Sequence, residues 1–176
     1  MKYKFKTEPY GHQLEALKRS WDKEEFAYFM EMGTGKSKVL IDNIAVLYDR
    51  GKINAAIIIA PKGVYENWSG REIPTHLPDH VIHRVGVWNP NPTKKEKEKL
   101  LSLFERTLDL KILVMNVEAF STKKGVTFVD KFINTHFPLI AVDESTTIKN
   151  PKAQRTKNLL KLAVNCKYRR ILTGFP

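Results

Sequence analysis

The 176-residue sequence predicts an α/β domain, a mainly parallel sheet with helices on both faces. Three observations carry this. Short β-like runs alternate with longer stretches of helical period, the pattern of strand–helix–strand units. Three of the runs, Ala55–Ala60, Lys111–Met115 and Leu139–Val142, are almost continuously apolar, as strands covered on both faces are. The length suits one domain with a substantial core, and no repeat divides it.

The elements follow in order. Phe26–Phe29 reads as the first strand and Lys36–Tyr48 as a helix with Val39, Leu40, Ile44 and Leu47 on one side. Ala55–Ala60 is the second strand and Val81–Val87 the third. Thr93 and Glu96 form a capping box, so the Lys/Glu run 94–99 becomes the solvated first turn of a helix. Leu100, Phe104 and Leu108 continue it at helical spacing. Lys111–Met115 and Leu139–Val142 are two further strands. Asn150-Pro151 reads as a helix start with proline at the first position, and that helix carries Leu159, Leu160 and Ala163. Arg170–Leu172 closes the series.

Composition narrows the function classes. No apolar run approaches the roughly 20 residues needed to cross a bilayer, and the basic start MKYKFKTEPY has no apolar stretch behind it. A non-secreted, cytoplasmic protein is expected, with nucleus or nucleoid left open and no membrane partner. Cys166 is the single cysteine, so no internal disulfide forms. The net charge of +11 is unevenly spread. Residues 1–88 hold 13 basic and 11 acidic side chains, and residues 89–176 hold 17 and 8. A polyanion such as DNA or RNA fits this imbalance. A solvated face, or one that meets an acidic domain, fits it too.

The strongest local signal is Glu31-Met32-Gly33-Thr34-Gly35-Lys36-Ser37, between a strand and a helix. Glycines let backbone amides curl around phosphate oxygens. The helix behind offers its free amides and positive dipole end. Met32, Gly33, Thr34, Gly35, Lys36, Ser37 and Lys38 form the expected ATP-binding stretch. Lys36 would neutralise β- and γ-phosphate charge, and Ser37 would hold Mg²⁺. Met30 stands where the usual phosphate-loop pattern has glycine.

Asp143-Glu144 follows the strand Leu139–Val142, 107 residues after Lys36. An Asp at a strand end can hold Mg²⁺, and a Glu beside it can polarise an attacking water. Lys36, Asp143 and Glu144 are therefore the candidate catalytic set, with Mg²⁺·ATP as substrate.

Several stretches resemble the superfamily-two helicases and translocases, above all their Swi/Snf-like branch. Asp143-Glu144-Ser145-Thr146-Thr147-Ile148-Lys149-Asn150 looks like its Asp-Glu box running into Ile-Lys-Asn. Glu-Met-Gly-x-Gly-Lys is likewise typical of its phosphate loop. Ala60–Trp68 with Glu72 resembles motif Ia, and Val114–Glu118 resembles the motif Ib region. Leu172–Pro176 resembles motif III, with Phe175 in place of threonine. Pro9–Gln13 resembles the segment whose Gln reads adenine.

The resemblance covers residues 9–176 and implies one RecA-like, ATP-binding P-loop lobe over residues 1–176. The second motor lobe, which supplies the arginine finger in this family, would lie outside this chain. It also implies that Gln13 pairs with adenine, though an ordinary helix-start role stays open. Thr173 and Gly174 would couple nucleotide state to nucleic acid. Pro61, Lys62 and Asn116 would lie near the nucleic-acid backbone, with duplex DNA as the expected partner. Trp68 reads as a packing anchor rather than a stacking platform. The function implied is an ATP-dependent DNA translocase. A strand-separating helicase, a restriction-enzyme translocase and a nucleotide switch without nucleic acid stay open. His76, His80 and His83 lie close in sequence, but Pro78 breaks any helix that would align them for a metal.

Overall fold

The computed structural model describes residues 3–174, apart from the side chain of Thr147. Six strands form one sheet: β1 Glu25–Phe29, β2 Ala55–Ala60, β3 His83–Val87, β4 Leu110–Asn116, β5 Pro138–Asp143 and β6 Tyr168–Thr173. Their order across the sheet is β1-β6-β5-β2-β4-β3 and every neighbouring pair is parallel. The α/β class expected from the sequence holds.

Parallel neighbours need crossovers, and helices supply them. α1 Gly11–Ser20 precedes the first strand, and the crossovers include α2 Lys36–Asp49, α5 Lys94–Ser102, α6 Lys123–Thr135 and α7 Gln154–Ala163. After β2 the chain forms one interrupted helical stretch: α3 Tyr65–Asn67, a π turn Trp68–Glu72, then α4 Ile73–His76. Two cores result. Ala56, Ile58 and Ala60 of β2 pack with Leu40 and Ile44 of α2, and with Trp68 and Ile73. Ala55, Ile57 and Ile59 point the other way, to Leu100 of α5, Val129 and Phe132 of α6, and Leu159 of α7. Both faces of β2 are covered, which is why its sequence shows no polar alternation.

Several boundaries differ from the sequence reading. The capping box of Thr93 and Glu96 forms, but α5 stops at Ser102. The buried Lys111 ammonium collects Thr107 O and Oγ1 and Asp109 O and Oδ1, winding 107–109 into a tight turn. Arg84 ties the same turn to β3 through Asp109 and Glu105. Phe104 therefore packs off-helix against Phe128 and Phe132, and Leu108 is 95% exposed. Asn150-Pro151 opens a turn rather than a helix, with Asn150 Oδ1 accepting from the Lys152 amide at 3.0 Å. In α7 the buried positions are Thr156, Leu159 and Leu162, while Leu160 is exposed. That face is set by contact with the 3₁₀ turn Val117–Ser121, where Asn158 donates to Phe120 O at 2.7 Å. The third strand starts at His83, two residues later than expected.

Cys166 is buried, and burial pushes its thiol up to about 12, so it stays an unreactive thiol at neutral pH. The three histidines go to separate partners: His76 to Thr7 and Glu72, His80 to Asp49, and His83 to Val81 O. Among the described residues no helix is long and apolar enough to cross a membrane.

Candidate nucleotide and nucleic-acid site

In an open parallel sheet, loops at the carboxyl ends of the strands face one crevice. Here that rim holds the loop after β1, Pro61 after β2, Asn116 ending β4, Asp143-Glu144 ending β5, and Thr173-Gly174 ending β6.

The loop 30–35 joins β1 to α2. Gly33 and Gly35 sit at φ 77° and 82°, a region that L side chains enter only at a cost. Gly35 caps α2, so the helix N-terminus opens into the loop. Thr34 holds the turn closed, its hydroxyl donating to Glu31 O at 2.6 Å. The Lys36 ammonium donates to Met30 O at 2.9 Å and to Glu31 O at 3.3 Å. It is held inside the loop's own carbonyls, and phosphate oxygens would exchange for them. Ser37 follows at the first turn of α2.

Lys38 does something else. It is only 4% exposed. Its ammonium pairs with Asp42 Oδ2 at 2.7 Å and donates to Thr7 O at 2.8 Å. Tyr3 OH donates to the other Asp42 oxygen at 2.8 Å. The Lys38 side chain thus clamps the segment before α1 onto α2, which leaves only its backbone amide for the phosphate-binding stretch. Burial raises the Asp42 carboxyl, while Lys38 and Tyr3 pull it back.

That clamped segment delivers Gln13, which is 5% exposed. Its Nε2 donates to Thr34 O at 3.0 Å, and its Oε1 accepts from the Tyr10 amide at 2.9 Å. A His12 ring nitrogen reaches the same Thr34 oxygen at 3.0 Å. Gln13 therefore braces the phosphate loop, with one further N–H and one further lone pair in its amide. Beside it the exposed Tyr10 ring stacks on His12, centroids 5.9 Å apart. Sequence reasoning missed Tyr10 and His12, although both stand in the Pro9–Gln13 stretch it singled out.

Asp143 ends β5 half-buried. Burial raises its carboxyl, Glu144 raises it further, and Trp68 and Lys36 oppose the rise. Trp68 Nε1 donates to Asp143 Oδ2 at 3.0 Å. Glu144 sits at φ 54°, ψ 67°, left-handed backbone that costs a non-glycine residue of order 1–3 kcal/mol and is found most often at functional sites. It caps the 3₁₀ turn Ser145–Ile148. A cleft of about 470 Å³ brings together Phe29, Glu31, Met32, Glu144, Lys149, Thr173 and Gly174. The Met30 amide donates to Thr173 O at 3.2 Å, so β6 and the phosphate loop are directly joined. Phe175 and Pro176 lie outside the described residues.

Ala60 is in register with Asn116, so Pro61 and Lys62 emerge beside Asn116. The Asn116 side chain accepts from the Ala119 amide at 3.1 Å and caps the turn after β4. Lys62 is exposed.

A phosphate loop after the first strand and an Asp-Glu pair two strands away define a P-loop fold of the RecA-like kind. The chain belongs to the SNF2-related domain family, whose model matches residues 21–176. It is 28% identical over 149 residues to the ATP-dependent helicase FUN30 of Saccharomyces cerevisiae, and 27% identical over 148 residues to the ATP-dependent helicase fft2 of Schizosaccharomyces pombe. These matches take in 83% of this chain but only 12% and 11% of those proteins. In fold it is similar to the Sulfolobus solfataricus SWI2/SNF2 ATPase core in complex with dsDNA, with a TM-score of 0.73 at 20% identity, over 99% of this chain and 33% of that one. The UvsW helicase from bacteriophage T4 follows at a TM-score of 0.65 and 12% identity, over 95% and 52%.

Proposed function

We propose that this chain is the ATP-binding lobe of an ATP-dependent DNA translocase. The observation that carries the reading is the shared rim. The phosphate loop, Asp143-Glu144, Thr173-Gly174 and the segment Pro61–Lys62 with Asn116 all open at the carboxyl ends of one parallel sheet.

Lys36 and the amides of residues 33–37 would hold the β- and γ-phosphates. The Ser37 hydroxyl and the Asp143 carboxylate are hard oxygen donors that suit Mg²⁺, which takes one or two protein oxygens and completes its shell with phosphates and water. Mg²⁺ would neutralise phosphate charge, and its positive charge would favour the ionised form of the Asp143 carboxyl against the rise that burial causes. Glu144 would orient the attacking water and accept its proton as the water oxygen bonds to the γ-phosphorus and the bridging oxygen leaves with ADP. Gln13 would brace the loop and present its remaining amide valences to adenine. Pro61, Lys62 and Asn116 would meet the nucleic-acid backbone.

A second RecA-like lobe would bring the arginine finger, worth on the order of 10³–10⁵ in rate. Residues 1–176 by themselves are thus expected to hydrolyse ATP slowly. The test is ATP hydrolysis by the full-length protein with no nucleic acid, duplex DNA, single-stranded DNA or RNA, and Lys36→Ala as control. Stimulation by duplex DNA, cut about 100-fold or more by Lys36→Ala, is the expected result. Stimulation mainly by RNA or single strands would replace translocation with strand separation. None at all would make the chain a nucleotide switch.

A further inference from the structure

We propose that Trp68 is a positioning residue for Asp143, through the hydrogen bond from its indole N–H to the carboxylate. The inference rests on the assignment of Asp143 to the cation.

The local geometry points at this bond. Trp68 opens the π turn Trp68–Glu72, and the Ile73 amide closes it on Trp68 O. In an α-helix, residues five apart lie about 140° apart around the axis. The wider π turn brings Trp68 and Ile73 to one face, and both are 1% exposed. Single π turns inside α-helices are uncommon and cluster at functional sites. A tryptophan serving only as an anchor needs any acceptor for its N–H. Here the acceptor is a carboxylate 75 residues away, at the end of β5, at 3.0 Å.

One donor on Oδ2 fixes the plane of the carboxylate and so the directions of its remaining lone pairs. Lys36 stands close enough to act on the same carboxylate. The indole thus holds Asp143 in one orientation beside the phosphate loop. Residues that orient a metal's ligand in this way typically change metal affinity about 10–100-fold when removed. Trp68 also continues the helical stretch that begins after Pro61–Lys62, so the segment assigned to nucleic acid and the carboxylate assigned to the cation are joined by one rigid side chain.

The test measures how free Mg²⁺ controls binding of a fluorescent ATP analogue to the full chain. Wild type is compared with Trp68→Phe and with a semisynthetic Trp68→benzothienylalanine chain. The latter keeps the fused ring and lacks the N–H. Thermal melting of each chain reports packing. The Mg²⁺ midpoint is expected to rise about tenfold in both variants, while binding without Mg²⁺ stays as in wild type. If Trp68→Phe melts early, the benzothienylalanine chain, expected to melt as wild type, decides. An unchanged midpoint in that chain overturns the proposal and leaves Trp68 a packing residue. Wild-type nucleotide binding that ignores Mg²⁺ overturns the Asp143 assignment itself, and the inference with it.

Discussion

The two ends of the sheet each carry a cavity, and they differ in kind. The larger, about 940 Å³, opens at the amino ends of the strands among Lys52, Asn54, Leu108, His136, Phe137 and Lys167. The smaller, about 470 Å³, lies at the carboxyl ends beside the phosphate loop. At the large one the polar groups serve the fold: Asn54 Oδ1 accepts from the Phe137 amide at 2.7 Å, and His136 pairs with Leu103 O at 2.7 Å. The small one is lined by Glu144, the one non-glycine residue with left-handed backbone among the described residues, and beside it Asp143 is raised by burial and Lys36 is held among loop carbonyls. Volume alone favours the amino end. Strained non-glycine backbone at Glu144 favours the carboxyl end.

The sharpest way to break this contrast is at Asp42, which anchors the carboxyl-end rim through Lys38. Asp42→Ala leaves the Lys38 ammonium buried without its counter-charge, a loss of about 3–5 kcal/mol. Melting should fall by on the order of 10 °C, and nucleotide binding should weaken as the Gln13 segment loosens. A variant that melts within about 2 °C of wild type would show that the clamp carries no weight.

Next comes Gly35→Ala. A Cβ there would stand 2.1 Å from Gln13 Nε2 at a φ of 82°, so both backbone and brace must move. We expect a loss of about 2 kcal/mol and roughly tenfold weaker ATP-analogue binding, measured by melting and by fluorescence titration. Unaltered affinity would argue that Gln13 does not support the loop.

The smallest effect belongs to two half-buried histidines, His136 at the other end and His76 against Thr7. Burial pulls the His136 ring below the ordinary histidine value of 6.5, opposed by its bond to Leu103 O, and burial lowers His76 likewise. The folded chain therefore binds these protons less readily than the unfolded chain. Their contribution to stability is present above pH 6.5 and is lost as pH falls through and below it. NMR titration of the ring protons should place both midpoints under 6.5, with melting temperature declining over the same range. A His136 midpoint at or above 6.5 would contradict the burial seen here.

Much of this was readable from residues. The runs at 55–60, 111–115 and 139–142 announced central strands because both of their faces are buried, so every position is apolar. The phosphate loop was readable because glycines and a lysine between strand and helix obey a local rule. Where the Lys38 side chain goes follows from helix geometry: two residues along an α-helix is about 200° around its axis, so the Lys36 ammonium reaches the loop carbonyls and the Lys38 ammonium reaches Asp42 and Thr7. The helix α6 went unplaced, although Val129, Phe132 and Ile133 are its buried face. Its start depends on Thr122 accepting from the Gly125 amide and on Gly125 sitting against Ala119 O, a fit between turns rather than a sequence period.

The sequence by itself determined the parallel α/β class, the phosphate loop and an Asp-Glu pair at a strand end, because each follows from periodicity or from the conformational limits of a few adjacent residues. Only the tertiary structure decided that Lys38 clamps Thr7, that Gln13 braces Thr34, that Lys111 ends a helix by wrapping its loop, and that Trp68 meets Asp143. Those pairs lie up to 75 residues apart, and which of them touch depends on the faces that the packed layers bring together.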